Sequence, residues 1–346
     1  MKVRQAKDAA RRWVMEEGRK TPGFSGAYLH GSANWLTDDA TLPATSDTDV
    51  MLVLAGAEPP IKPGKFHYHG VLLEVSYIAR DTLSSAAAVL GSPHLAGGFR
   101  TRSVILDPSG ELTALQDVVS REYARRSWVR TRCERAADAA RSAARALGEA
   151  VPLHDQATMT VFAAGITTFV LLAAGLKNPT VRKRYVASRE VLAEYGRLDF
   201  QEPLLELLGC AAMSRERVEH HLDGVTAAFD AASRVTIKTP YRFASDISAA
   251  ARPISIDGSH ELIERGLHRE AVFWLAATYG RCRTIFAADA PELATRFDPS
   301  YRELLDDLGI GSFEDRRLRC EAVEAFLPRV WEVAEEIMAA NPDIED

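Results

Sequence analysis

At 346 residues the chain is longer than one compact core usually supports, so two domains are expected. Hydrophobic residues make up 47% and charged residues 26%, the mix of a globular protein that folds by itself. A net charge of -6 offers no general attraction for phosphate backbones, which argues against nucleic acid as the main partner.

The first 19 residues read as an amphipathic helix, with Ala6, Ala9, Ala10, Trp13 and Val14 at helical spacing, and they contain no apolar run of the signal-peptide kind. "TPGFSG" ends that helix. Short apolar runs follow at 27–30, 50–55, 70–78 and 103–107, each bounded by turn-forming residues, and they read as strands. "FHYHG" between the second and third runs reads as a hairpin strand whose His67 and His69 decorate one face, with metal binding the alternative. After "DPSGEL" the texture changes to long helices at 116–147, 156–175, 203–233, 260–287 and 314–340, the last kinked at Pro328, with a loop at 237–259 dividing the set. The most apolar stretch, 159–176, contains Thr160, Thr167 and Thr168 and is expected to be a buried helix rather than a membrane span. Cys133, Cys210, Cys282 and Cys320 form no Cys-x-x-Cys pair, so neither a zinc knuckle nor a disulfide framework is indicated, and a reducing cytoplasm fits.

Asp47 and Asp49 stand where a buried strand is about to begin, and a carboxylate entering a core costs several kcal/mol unless something positive meets it. Their two-residue spacing puts both side chains on one strand face. Glu74, between Leu73 and Val75, points opposite to both neighbours, and an adjacent strand could carry it to the same place. Clustered acids of this kind repel unless a cation intervenes, and hard oxygen ligands suit Mg²⁺ completed by substrate phosphates. Gly31 permits close backbone approach to a phosphate, and Ser32 offers an amide and a hydroxyl.

A helix, a strand, Gly31-Ser32, a loop, Asp47 and Asp49 opening a strand and Glu74 on a following strand: this order resembles the DNA polymerase beta-type nucleotidyltransferase superfamily. With a helical half behind it, the chain is similar to the aminoglycoside nucleotidyltransferases and other small-molecule adenylyltransferases. The resemblance implies an α/β (α+β) nucleotidyltransferase domain with a short mixed sheet at 1–115. An all-α helical-bundle domain at 116–346 would complete the acceptor pocket. It implies two Mg²⁺ ions held by Asp47, Asp49 and Glu74, a triphosphate on the Gly31-Ser32 turn, and ATP or another NTP as co-substrate. Glu74 has two candidate roles, metal ligand and acceptor of the hydroxyl's proton. The expected reaction moves AMP onto a hydroxyl of a small molecule, with an aminoglycoside-like antibiotic as one candidate and antibiotic resistance as the corresponding role. Transfer to an RNA 3′ end or a protein hydroxyl, and an inactive binding module, are the alternatives. No membrane is expected, and the assembly is a monomer or homodimer. The loop 33–46 is long for this motif and would shape the substrate entrance.

Further basic residues are candidates for phosphate contact. Arg100 and Arg102 enter the fourth apolar run, where a solvated edge is the competing reading. Eight arginines between 121 and 145 against three acids read as a solvated helix face or as contacts to a triphosphate. Pro179 would break a helix so that 180–184 begins the next, turning its amides and Lys183 toward an anion. Acids in "YRELLDDLG" at 301–309 face water or a polycationic acceptor.

Overall fold

A computed structural model describes residues 1–346 apart from 57, 58 and 60. Among the described residues there are five strands, β1 (Phe24–His30), β2 (Thr48–Leu54), β3 (Gly64–Tyr68), β4 (Val71–Ala79) and β5 (Val104–Leu106). They form one mixed sheet in the order β3-β4-β2-β1-β5, in which β2 and β4 run parallel and every other pair is antiparallel. Alternation along the strands sends Ala27, Leu29, Val50, Leu52, Leu73 and Val75 to one face, where α1 (Val3–Glu16) buries Val3, Ala6, Ala10, Trp13 and Val14 against them. Tyr28, Val53 and Ile78 point to the other face and pack with Val89 and Leu90 of α2 (Ala86–Leu90) and Leu112 and Val119 of α3 (Glu111–Glu122).

The expectation of one helix over 116–147 is corrected. The chain breaks at Tyr123 to Arg125, between α3 and α4 (Arg126–Arg145). The buried Arg132 guanidinium satisfies a carbonyl freed at that break, donating to Tyr123 O (2.7 Å), and also donates to Leu90 O at the end of the Ala86–Leu90 helix (3.0 Å). Residues 116–122 belong with the sheet, since Gln116 accepts from Ser103 N (2.9 Å) and Val104 N (3.2 Å).

The rest is helical: α5 (Leu153–Ala174), α6 (Arg184–Glu194), α7 (Gln201–Leu208), α8 (Arg215–Ala232), α9 (Gly258–Glu264), α10 (His268–Asp289), α11 (Pro291–Asp307) and α12 (Phe313–Ala340). The helix expected at 203–233 is two, because Gly209 adopts φ 96 against Leu308 O, where a side chain has no room. That expected at 260–287 is likewise two, with Gly266 at φ 77 between them. Helix α12 continues through Pro328. Among the described residues α5 is the one helix long and apolar enough to cross a membrane, and 78% of its most apolar window is buried inside the protein. Its Thr160, Thr167 and Thr168 hydroxyls donate to carbonyls within the helix, at 2.6–2.9 Å.

The dividing loop at 237–259 reaches back to the sheet. Its 3₁₀ turn at Ala244–Asp246 lies on β3, where Gly64, at φ 72, leaves the space that Ser245 fills. A Cβ on Gly64 would overlap that serine, so the glycine is what lets the two halves meet here.

Candidate functional site

Sheet register builds the site. Lys65 of β3 is opposite Glu74 of β4, Glu74 opposite Asp49 of β2, and Asp49 opposite His30 of β1. Residues directly opposite share a face, so these four side chains form one row across the sheet. Asp47, one pleat before Asp49, joins them, and one carboxylate oxygen from each of Asp47, Asp49 and Glu74 lies within 4.8 Å of the others. The parallel β2–β4 pairing thus brings together three acids that the chain separates by up to 27 residues, 47 to 74.

Gly31 follows β1 with φ 62, a conformation that favours glycine, and a Cβ there would stand 2.6 Å from Asp49 Cγ. The space a side chain would take is the space of a site carboxylate. Ser32 opens the 3₁₀ turn Ser32–Asn34, which Asn34 ties down by donating to Gly98 O (3.1 Å).

Two lysines that sequence reasoning missed meet the acids. Lys65 Nζ lies 3.1 Å from Asp47 Oδ2 and also pairs with Glu74 Oε2, while Lys62 pairs with Glu74 Oε1. Lys65 reaches further, to Asp246 Oδ1 (3.0 Å) on the dividing loop, and Arg281 of α10 holds the other oxygen of Asp246 at 3.3 Å. The acids therefore separate electrostatically. Burial raises Asp49 well above the usual carboxylate range, and Asp47 and Glu74 add to it. Burial raises Asp47 as well, against the pull of Lys65. Burial would also raise Glu74, but Lys65 and Lys62 outweigh it and hold that carboxyl at about 2. Lys65, despite burial, is held well above the usual lysine range by Asp47, Glu74 and Asp246. His30 is pushed down to about 4 by burial and then by His94, so it is neutral, with Nδ1 enclosed and without a hydrogen-bond partner.

The row faces a cavity of about 800 Å³ lined by both halves. His30, Gly31, Ser32, Asp47, Asp49, Lys65 and Glu74 form its sheet side. The 177–183 segment and the Val186, Glu190 and Glu194 positions of α6 form the helical side, and Leu36, Pro43 and Thr45 of the long 33–46 loop form a rim. Arg182 fastens that rim, donating to Thr45 O (2.8 Å), while Thr45 Oγ1 donates to Glu261 of α9 (2.8 Å).

No family model and no curated protein matches this chain. The site therefore rests on its own geometry.

Of the sequence candidates, Gly31, Ser32, Asp47, Asp49, Glu74 and Lys183 line the cavity. Lys183 does so as the residue before α6, which begins at Arg184 rather than at 180, and its ammonium is shifted down by burial and by Arg182. Arg100 is not brought to the site. It is exposed and stacks on Trp35, at 4.7 Å from the ring centroid, and near Tyr123 at 5.7 Å. His67 and His69 are exposed at the hairpin and stand outside the acid group. No arginine of 121–145 lines the cavity. Arg130 and Arg145 instead pair with Glu335 (3.0 Å) and Glu324 (2.7 Å) of α12. The missed residues had partial signals: Lys65 lies two before His67 on the same strand face, whereas nothing local marks Asp246.

Proposed function

We propose that this chain is a nucleotidyltransferase that moves a nucleoside monophosphate, AMP from ATP, onto a hydroxyl of a small molecule. The observation that carries the reading is the convergence of three carboxylates beside the Gly31-Ser32 turn, on the wall of a cavity shared by the sheet and the helical half. The donor set fits a hard divalent cation: three carboxylates on one sheet face, with Gly31 leaving room for one of them. Asp47, Asp49 and Glu74 would hold Mg²⁺, which when bound neutralises charge on the transferring phosphoryl group and the departing pyrophosphate.

The chain's own groups supply the rest. The Ser32 amide and hydroxyl and the Lys183 ammonium are the phosphate-binding groups on the cavity wall. Both oxygens of Glu74 are taken by lysines, which favours its charge-holding role over that of proton acceptor. Glu190 of α6 lines the cavity and makes no ion pair among the described residues, so it is the helical-half candidate for receiving the acceptor's proton. A cavity of about 800 Å³ suits a nucleotide with a small acceptor rather than a folded macromolecule.

The test is incubation with each NTP, Mg²⁺ and a panel of hydroxylated small molecules including antibiotics, with pyrophosphate release and product mass as readouts. Pyrophosphate with a nucleotide-sized mass increase on a small acceptor is expected. Modification of RNA or protein alone would move the acceptor to the macromolecular class. Lys65 among the acids favours a second reading, a nucleotide-binding module without turnover. Nucleotide binding with no pyrophosphate across the panel would select it.

A further inference from the structure

The acid cluster contains a cation of the protein's own. Lys65 has a side chain only 7% exposed, and its ammonium touches Asp47 and Glu74, two of the three carboxylates that could hold an ion together. An ammonium and a divalent ion on the same oxygens repel strongly at that spacing. Both cannot occupy the cluster as it stands.

Its third contact comes from the other half of the molecule. Asp246 is held over β3 by the turn that Gly64 admits, and Arg281 steadies it from behind. Arg281 is itself stacked on Phe243 (5.0 Å) and Trp274 (4.7 Å), so Asp246 has a fixed support independent of Lys65. Among the described residues Lys62 has no comparable second acid. Its ammonium contacts Glu74 and, at 3.4 Å, the Ser76 hydroxyl.

We propose that Lys65 is a tethered counter-ion that fills the acid cluster in the absence of a divalent cation and is passed to Asp246 when one binds, which makes the helical half a partner in metal loading. The inference rests on the reading of Asp47, Asp49 and Glu74 as metal ligands. The transfer needs only rotation of the lysine stem, because Lys65 already touches its receiving carboxylate. Without Asp246, an expelled ammonium would lose its buried acid partners together, which is costly. A consequence is that metal enters with nucleotide more readily than alone, since the phosphate oxygens add ligands that offset the competition from Lys65. Lys65 is in this sense a positioning residue for the metal.

The test uses Mn²⁺ alone as probe on the full chain, with free Mn²⁺ followed by electron paramagnetic resonance and folding by circular dichroism. Lys65→Met is expected to bind Mn²⁺ about tenfold or more tightly than the unmodified protein, because a like charge has left the site. Asp246→Asn is expected to weaken binding several-fold, and that weakening is expected to vanish when combined with Lys65→Met, since no lysine then needs receiving. If Lys65→Met does not fold, Lys65→Gln gives the same comparison with a polar group among the acids. Equal affinity in the Lys65 variant and the unmodified protein, with Mn²⁺ bound by both, overturns the transfer and leaves the metal site standing. An equal loss from Asp246→Asn in both backgrounds also overturns it, because Asp246 would then act through its charge alone. A folded Lys65 variant that binds no Mn²⁺ overturns both the transfer and the metal-site reading.

Discussion

Charge is taken out of water at several places in this molecule, and the company it keeps differs sharply between two of them. At the sheet edge, Lys65 meets three carboxylates, and the group opens onto the large cavity. In the helical half, Arg184 at the start of α6 is 1% exposed and has no carboxylate partner among the described residues. Its guanidinium is packed among the rings of Phe273 (4.1 Å), Phe169 (4.6 Å) and Phe162 (5.3 Å) and donates through Nε to Val181 O (2.9 Å). Burial drives it down to about 9. Ring faces and a carbonyl can shelter a cation permanently but offer it no second position. Carboxylates around Lys65 offer several, which is the arrangement of a site that changes occupant.

The largest effect on that contrast comes from removing an acid of the open cluster. Asp49→Asn is expected to lower the proposed nucleotidyl transfer by on the order of 10³-fold, with the loss in kcat, since a candidate metal ligand and its charge disappear together. Stability should hold or rise. Burial raises the Asp49 carboxyl, so a penalty on folding grows as pH rises above the ordinary carboxylate range and is complete above the raised value, and the amide removes it. Transfer assays and thermal unfolding at neutral pH check both halves. A large fall in melting temperature would show Asp49 to be structural, as Arg184 is.

The second effect concerns proton linkage in the metal-free protein. His30 falls from an ordinary 6.5 to about 4 in the fold, so the unfolded chain binds the proton first. The contribution of neutral His30 is fully present above about 6.5 and is lost as pH falls through about 4, by at most about 3 kcal/mol. Denaturant unfolding across that window is expected to show a steeper acid-side loss in the unmodified protein than in His30→Gln. Parallel curves would mean that His30 is solvated in solution.

Much of the open site was legible because it is local. Asp47 and Asp49 obey a strand period, and Glu74 interrupts an apolar strand, so each betrays itself within a few residues. The cations were harder. A lysine in a hairpin ordinarily reads as a solvated edge, and what buries Lys65 is a loop 181 residues away in the chain. Arg100 failed in the other direction: its position near a strand suggested phosphate, but Trp35 offers the ring on which it stacks. Arg184 sits in "VRKRY", which reads as a basic helix start, and only the packing of α5 and α10 reveals three phenylalanines around it. Helix breaks at Gly209 and Gly266 depend on a left-handed backbone that periodicity over long windows smooths away.

Two glycines sharpen the same comparison at smaller magnitude. Gly31→Ala would push a methyl into the Asp49 carboxylate, so activity is expected to fall by on the order of 10²-fold, with roughly 1 kcal/mol of stability lost to the positive φ. In α5, Gly165→Ala would place a Cβ 2.6 Å from the Phe273 ring and 2.8 Å from Arg184 Nη1. Neither neighbour can retreat from a filled core, so about 1–3 kcal/mol of stability is expected to go. Activity per folded molecule should stay within a few-fold. Kinetics on the folded fraction, paired with urea unfolding, separate the two outcomes.

The smallest expected effect is the most direct test of how Arg184 is held. Arg184→Met replaces a buried cation that has no acid to abandon, so it avoids the cost that follows when one member of a buried ion pair is removed. The thioether is shorter than the arginine stem and guanidinium together, but it adapts to irregular space and packs favourably against aromatic rings. Three cation–ring contacts are lost, but so is the penalty of keeping a guanidinium in a site that depresses it to about 9. The two terms offset, and a change of no more than about 1 kcal/mol in either direction is expected from urea unfolding. Arg184→Ala provides the contrast, since it empties the same space and should cost about 2–5 kcal/mol through the cavity alone. A loss as large for methionine as for alanine would show that the positive charge itself holds the three rings together. The closed cation would then be as indispensable to the helical half as Asp49 is to the open site.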